Sequence, residues 1–155
     1  MILAIDPGDQ LSAFVVYDGK RPVAHGKVSN AEMRSRVGLG GYHVLVIEMI
    51  ASYGMPVGAE VFETCVAIGR FEEIAESSGL PWQRVYRREV KLYLCGQARA
   101  KDSNVRQALI DKFGGKEKAI GRKASPGPLY GLKADEWQAL AVAVTYTETH
   151  NQEAA

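Results

Sequence analysis

Four apolar residues, Ile2 to Ile5, run unbroken into Asp6, and Pro7-Gly8 stops the run. Side chains alternate across a strand, so an unbroken apolar run needs cover on both faces. The stretch predicts a central strand with layers on both sides of its sheet. Asp6 leaves the core where that strand ends, and a buried charge is costly unless paired. A plain turn aspartate ahead of Pro-Gly is the simpler alternative. His43 to Glu48 repeats the pattern: Val44, Leu45, Val46 and Ile47, then an acid. If the two strands lie parallel and adjacent, Asp6 and Glu48 leave the sheet at one edge. Open α/β sheets place their sites at the carboxyl ends of strands.

Between these runs, Leu11–Tyr17 and Pro22–Val28 read as strands joined by the turn signal Asp18-Gly19. Ser29 or Asn30 can cap a short helix over Ala31–Val37, ended by Gly38, Gly40 and Gly41. After the loop Ala51–Val57, a long helix is expected over Ala59–Ser77. Its core-facing stripe at helical spacing is Val61, Phe62, Cys65, Ile68, Gly69, Glu72 and Ala75. Trp82–Tyr86 reads as a strand and Arg87–Leu94 as a short helix. Gly96–Lys101 reads as a basic turn. Asp102 or Ser103 can cap a helix running to Phe113. Gly114–Pro128 shows no periodicity and reads as a mobile loop. A last helix follows over Lys133–Val144, with the polar tail from Thr147 expected to fray. The whole is an α/β chain with a mixed sheet, one domain over 1–150 and a disordered tail over 151–155.

The net charge of +1 conceals a split. Arg84 to Lys133 carries thirteen Lys/Arg against four Asp/Glu, a net of +9; the remainder has six against fourteen, a net of −8. Such a block suits a phosphate backbone, although a solvated face would look similar. No apolar run reaches membrane-span length and no leader pattern opens the chain, so an intracellular place is expected. Cys65 and Cys95 lack ligand-spaced partners and read as small packed side chains. His25, His43 and His150 have no metal-ligand spacing, and Gly38–Gly41 lacks the lysine of a phosphate loop.

Asp135 opens the last helix as a third acid. Alone, it could simply complement the helix dipole. Brought together, Asp6, Glu48 and Asp135 would repel and raise one another's pKa, which a dication relieves. Hard oxygen ligands select Mg²⁺ or Mn²⁺, and two such ions can drive phosphodiester hydrolysis.

Several stretches carry a family resemblance: Ala4-Ile5-Asp6-Pro7-Gly8, Val46-Ile47-Glu48, Val85 through Lys91, Gly96 through Lys101, and Asp135 ahead of Ala139-Leu140-Ala141. Their order resembles the RuvC family of Holliday-junction resolvases on the ribonuclease H-like fold. Gly127 through Trp137 is similar to the RuvC-like nucleases carried by phages. The resemblance implies a mixed five-stranded sheet flanked by helices, and a homodimeric endonuclease that nicks opposed strands of a four-way DNA junction. It implies a bacterial or phage-infected cytoplasm and a site binding two ions, Mg²⁺ or Mn²⁺. By the same resemblance Asp6 and Glu48 are ligands and catalytic, with Asp135 as the third; Lys91 and Lys101 lie near junction phosphates. Arg87, Arg88, Arg99, Lys116, Lys118, Arg122 and Lys123 join them as DNA-binding candidates from the basic block.

Two departures stand out. Gln138 occupies the position where the family carries an acid before Ala-Leu-Ala, so Asp135 is expected to do that work while Gln138 ligates neutrally; Glu136 points about 100° away around the helix. Ala51 stands where sequence-selective members carry an aromatic wedge, leaving Tyr53 or Met55 as substitutes. Phe71 and Ile74 extend beyond the core-facing stripe of the long helix and suggest a dimer contact there, with a helix simply buried on the sheet as the alternative. The competing readings are another ribonuclease H-like nuclease acting on RNA or forks, and a junction-binding protein without catalysis.

Overall fold

The computed structural model describes residues 1–153. The runs flagged by apolar continuity form the middle of one sheet. Strand β1 (Ile2–Asp6) lies between β2 (Leu11–Tyr17) and β4 (Val44–Met49), in the order β3-β2-β1-β4-β5. β3 (Pro22–Ser29) closes one edge and β5 (Trp82–Tyr86) the other. β1 runs antiparallel to β2 and parallel to β4, and β4 is parallel to β5. This is the mixed five-stranded sheet expected from the sequence.

Strand alternation divides the core in two. Leu3, Ile5, Phe14, Val16, Leu45 and Ile47 face α1 (Asn30–Leu39) and α2 (Ala59–Ser77). Ala4, Val15, Val44, Val46 and Val85 face α3 (Arg87–Cys95), α4 (Asp102–Lys112) and α6 (Glu136–Glu153). Trp137, Leu140, Ala141 and Val144 of α6 are buried there, as their spacing predicted. The small residues Ala139, Ala141 and Ala143 leave α6 without exposed surface over these turns and let it lie close on β1 and β2.

The turn after β1 has its own scaffold. Asn30 donates from Nδ2 to the carbonyls of Gly8 (2.9 Å) and Asp9 (3.1 Å), and accepts from Ser12 Oγ at 2.6 Å. The Gly8 N–H donates to Ser12 Oγ at 3.3 Å. A Cβ on Gly8 would run into the Leu11 carbonyl oxygen, so the tight Asp-Pro-Gly exit needs glycine there. Ser29, not Asn30, caps α1, accepting from the Glu32 N–H at 3.1 Å.

Several expectations need correction. Gly114–Pro128 is folded: α5 (Lys116–Ala119) leads into a hairpin of β6 (Gly121–Arg122) and β7 (Ser125–Pro126). Backbone bonds from Gly127 N–H to Ile120 O and from Leu129 N–H to Ala119 O, each 2.8 Å, tie it shut, and Ala119 and Leu129 are buried. A structure this short has too few residues to show a period. The last helix does not fray at Thr147, whose hydroxyl donates to the Ala143 carbonyl (2.8 Å) as Thr149's does to Thr145 (2.8 Å). The end of the tail expected over 151–155, Ala154 and Ala155, lies outside the described residues.

On α2 the boundaries match but the buried stripe is rotated. Thr64, Ala67, Ile68, Phe71, Glu72 and Ala75 face inward, while Phe62 and Val66 are 64% and 48% exposed. Two polar groups can turn inward because each has a partner. Thr64 donates to the Glu60 carbonyl at 2.8 Å, and Glu72 accepts from both Nε (2.6 Å) and an Nη (2.8 Å) of Arg84 on β5. Gly69 faces open space rather than the sheet, and Cys65 is exposed rather than packed. Phe71, expected at a dimer contact, belongs to the core; Ile74 is half-buried beside it. Phe71→Ala should therefore lower stability by about 3–5 kcal/mol in urea unfolding, the range for emptying a packed aromatic site. A loss below about 1 kcal/mol would place Phe71 at the surface instead.

Candidate active site

The register carries one row of side chains across the sheet at the carboxyl end of β1. Lys27 on β3 pairs with Ala13 on β2, Ala13 with Asp6, and Ile5 with Ile47, so Asp6 and Glu48 stand level on neighbouring strands. Glu48 in turn pairs with Val85. Parity does the rest. Asp6 follows Ala4, Glu48 follows Val46, and Lys27 is opposite Ala13 two places from Val15, so all three point to the face covered by α6. β5 passes into α3 with no intervening loop, placing Arg87 two residues beyond Val85 on the same side.

Glu48 is 1% exposed and Asp6 8%. Arg87 answers both, through an ion pair from Nε to Glu48 Oε1 and an Nη 3.7 Å from Asp6 Oδ1. The other Glu48 oxygen, Oε2, is buried with no hydrogen-bond partner among the described residues. Burial, then the charge of Glu48, pushes the Asp6 carboxyl from the usual 3.8 to about 8 against the pull of Arg87; Asp135 adds a smaller push. Burial raises Glu48 too, again opposed by Arg87.

Asp135 sits just before α6, its carbonyl accepting from the N–H groups of Gln138 (3.0 Å) and Ala139 (3.1 Å). Ala134 ahead of it holds a left-handed φ of 40°, a strained value for an L residue. Asp135 and Asp6 line one cleft together with Pro7, Gly8, Asp9, Gln10, Leu11 and Lys27. The Asp135 carboxylate is paired to Lys27, which raises the lysine pKa through that hydrogen bond. The three acids thus converge only in part. Asp6 and Glu48 adjoin, Asp135 shares the cleft, and among the described residues no three His, Cys, Asp or Glu side chains form a ready metal cage. Gln138 is buried in the first turn of α6. Glu136 is committed elsewhere, accepting from the Lys133 N–H at 2.9 Å and paired with His25 Nδ1 at 2.8 Å.

The basic block is divided. Arg87, Arg88, Lys91 and Arg99 line a second cleft of about 780 Å³ with Met49, Ile50, Tyr53, Met55 and Val57, next to the acids. Tyr53 and Met55 are 62% and 69% exposed, and the Arg88 guanidinium lies 5.9 Å from the Tyr53 ring. Lys91 also stands 3.6 Å from Asp102. Lys101, not among the residues lining this cleft, caps α4, its N–H donating to Asn104 Oδ1 at 2.9 Å, so the cap is one residue earlier than Asp102. The hairpin lies elsewhere. Pro126, Gly127 and Pro128 adjoin Lys20–Val23, beyond Tyr17, which pairs with Ile2 at the opposite end of β1 from Asp6. Lys116, Lys118, Arg122 and Lys123 belong to that hairpin and the short helix before it. Arg84 is spent on Glu72. Sequence reading placed Arg87 in the basic block without its carboxylate partners. It also missed Lys27, which the alternation of β3 and its register on β2 would have aimed at Asp6.

The fold defines an α/β protein built as RuvC is. A Thermus thermophilus RuvC structure matches with a TM-score of 0.72 and 19% identity, covering 98% of this chain and 96% of that one. T. thermophilus RuvC in complex with Holliday junction substrate matches at TM-score 0.70 and 17% identity, over 98% of this chain and 95% of that chain. No protein-family model and no curated protein sequence matches. No helix among the described residues is long and apolar enough to cross a membrane.

A folded, metal-free chain keeps a proton on Asp6 over a pH range in which the unfolded chain has lost it. The folded state then binds more protons, so stability falls as pH rises from about 4 to about 8. The melting temperature in chelator should drop across that window, and Asp6→Asn should make the drop shallower. Equal slopes in the two proteins would mean that Asp6 is not the group responsible.

Proposed function

We propose that the chain is a metal-dependent endonuclease that resolves four-way DNA junctions by hydrolysing phosphodiesters in opposed strands. The observation that carries this reading is the Asp6–Glu48 pair, buried side by side at the ends of two parallel strands in a RuvC fold and opening beside a cleft lined by basic and apolar side chains. The donor set fits Mg²⁺ or Mn²⁺: all carboxylate oxygen, with Glu48 Oε2 unpartnered. Asp6, Glu48 and Asp135 would hold the ions, with Gln138 as a neutral neighbour. When bound, two such ions activate water and stabilise the leaving oxygen.

The chain's own residues do the positioning. Arg88, Lys91, Arg99 and Lys101 meet the backbone phosphates beside the acids, and Tyr53 and Met55, exposed on their loop, take the branch point against their apolar surfaces. Lys116, Lys118, Arg122 and Lys123 meet DNA only on an arm that extends past the sheet. Paired cuts in a two-fold substrate call for a two-fold enzyme. The exposed stripe Phe62, Cys65, Val66 and Gly69 on α2, spaced on one helix face, supplies the surface for a second copy.

A second reading, binding without cleavage, draws on Gln138 in place of an acid and on Asp135 turned to Lys27. Cleavage of a four-way junction in Mg²⁺ or Mn²⁺ decides between them. Asp6→Asn, Glu48→Gln and Asp135→Asn should each cut more slowly by over about 100-fold, beyond what losing an outer partner of a metal ligand costs. Each should still bind the junction in a gel-shift titration, because phosphate contacts supply most affinity. Metal-independent binding by wild type with no nicks would establish the second reading. Affinity should also fall steeply with salt, and a flat response would remove the basic cleft from the DNA-facing surface. Phe62→Asp should convert a dimer to a monomer in sedimentation, and an unchanged mass would sink the α2 interface.

A further inference from the structure

Arg87 occupies a place that the proposed reaction assigns to something else. It is the first residue of α3, and its guanidinium reaches back to the two most deeply set acids of the site. Asp6 and Glu48 stand level on adjacent strands, and Arg87 contacts both. Among the described residues no other basic side chain is paired with either: Lys27, at the far end of the row beyond Ala13, is paired with Asp135. Arg87 also lines the neighbouring cleft with Arg88, Lys91 and Arg99, and its side chain is 44% exposed. One long side chain therefore borders both the acids and the proposed DNA surface.

Two carboxylates this buried need positive charge nearby. A guanidinium and a hydrated dication compete for the same oxygens, and both cannot hold Glu48 Oε1 and Asp6 Oδ1 at ligand distance. Glu48 Oε2, buried and without a hydrogen-bond partner among the described residues, is left unsatisfied while Arg87 holds Oε1.

We propose that Arg87 is the resident counter-cation of the site: it holds Asp6 and Glu48 together in the ion-free enzyme, a divalent ion must displace it, and the released guanidinium turns into the adjoining cleft to meet a DNA phosphate. This rests on the carboxylate pair being the metal site. Arg87 is on this account a positioning residue that tunes ion affinity and couples loading to DNA engagement. The cleft holds three further cations and no acid among its lining residues, so a displaced Arg87 gains from phosphate what it loses from Glu48 only when DNA is present. Ion binding and junction binding then reinforce each other, as linked equilibria must.

The test needs no catalysis. Mn²⁺ affinity is measured calorimetrically on the full chain without DNA for wild type, Arg87→Gln, Arg87→Lys and Asp6→Asn. Arg87→Gln should bind Mn²⁺ at least about tenfold more tightly, a gain of about 1.4 kcal/mol, with Arg87→Lys between it and wild type. In the wild-type protein, whose folding is not at risk, the Arg87 Nε–H resonance should shift when Mg²⁺ saturates the site. Equal or weaker binding by both arginine variants, or an unmoved resonance at saturation, overturns the proposal while leaving the metal site standing. No ion binding by any of the four proteins overturns the metal site and this proposal together.

Discussion

Two carboxylates buried at the ends of neighbouring strands are the constraint from which the rest of the molecule follows. Removing one carboxylate from water costs several kcal/mol even after the protein relaxes. Glu48 and Asp6 bear that cost next to each other, with a proton drawn onto Asp6 and Arg87 drawn across both. A site of this kind is unstable by design and becomes stable when positive charge is supplied. The surrounding fold reads as a means of keeping the pair in place: Asn30 and Ser12 lock the turn behind Asp6, and the β5–α3 junction delivers Arg87 without a loop.

The same constraint explains why α6 is built as it is. Its alanines let a helix lie flat on β1 and β2, which brings its first residues over the strand ends. Asp135 arrives there on a strained Ala134 and is held by Lys27, so the third acid is present at the rim rather than in the depth of the site. Charge is arranged in a line, lysine, acid pair, arginine, along a single row of the sheet. Arg87 opposes the push that burial gives both acids of the pair, while Lys27 neutralises Asp135.

Much of this was legible in the chain. Apolar runs ending on Asp6 and Glu48 located the two central strands and the acids, because only a strand covered on both faces tolerates four consecutive apolar residues. The Asp18-Gly19 hairpin and the bounds of α2 were equally local signals. The rotated stripe of α2 was not legible. Glu72 was read onto the inward stripe and is there, paired with Arg84, but Thr64 looks like a surface residue until the Glu60 carbonyl is found beside it, and Phe71, read as lying outside the stripe, takes a core place while Phe62 stays exposed. The hairpin at Gly121–Pro126 escaped for a different reason: its stability comes from backbone bonds to Ala119 and Ile120, which leave no mark on composition.

Sequence alone determined which residues could carry the chemistry, since residue type, strand alternation and the ends of apolar runs are one-dimensional facts. Tertiary structure decided how those residues are neutralised. Arg87 rather than Lys91 meets Glu48, Lys27 rather than a metal cage meets Asp135, and the basic segment divides between two ends of the sheet. Charge pairing depends on distances of a few ångströms between residues far apart in the chain, as with Arg87 and Glu48, and no local pattern records such a distance.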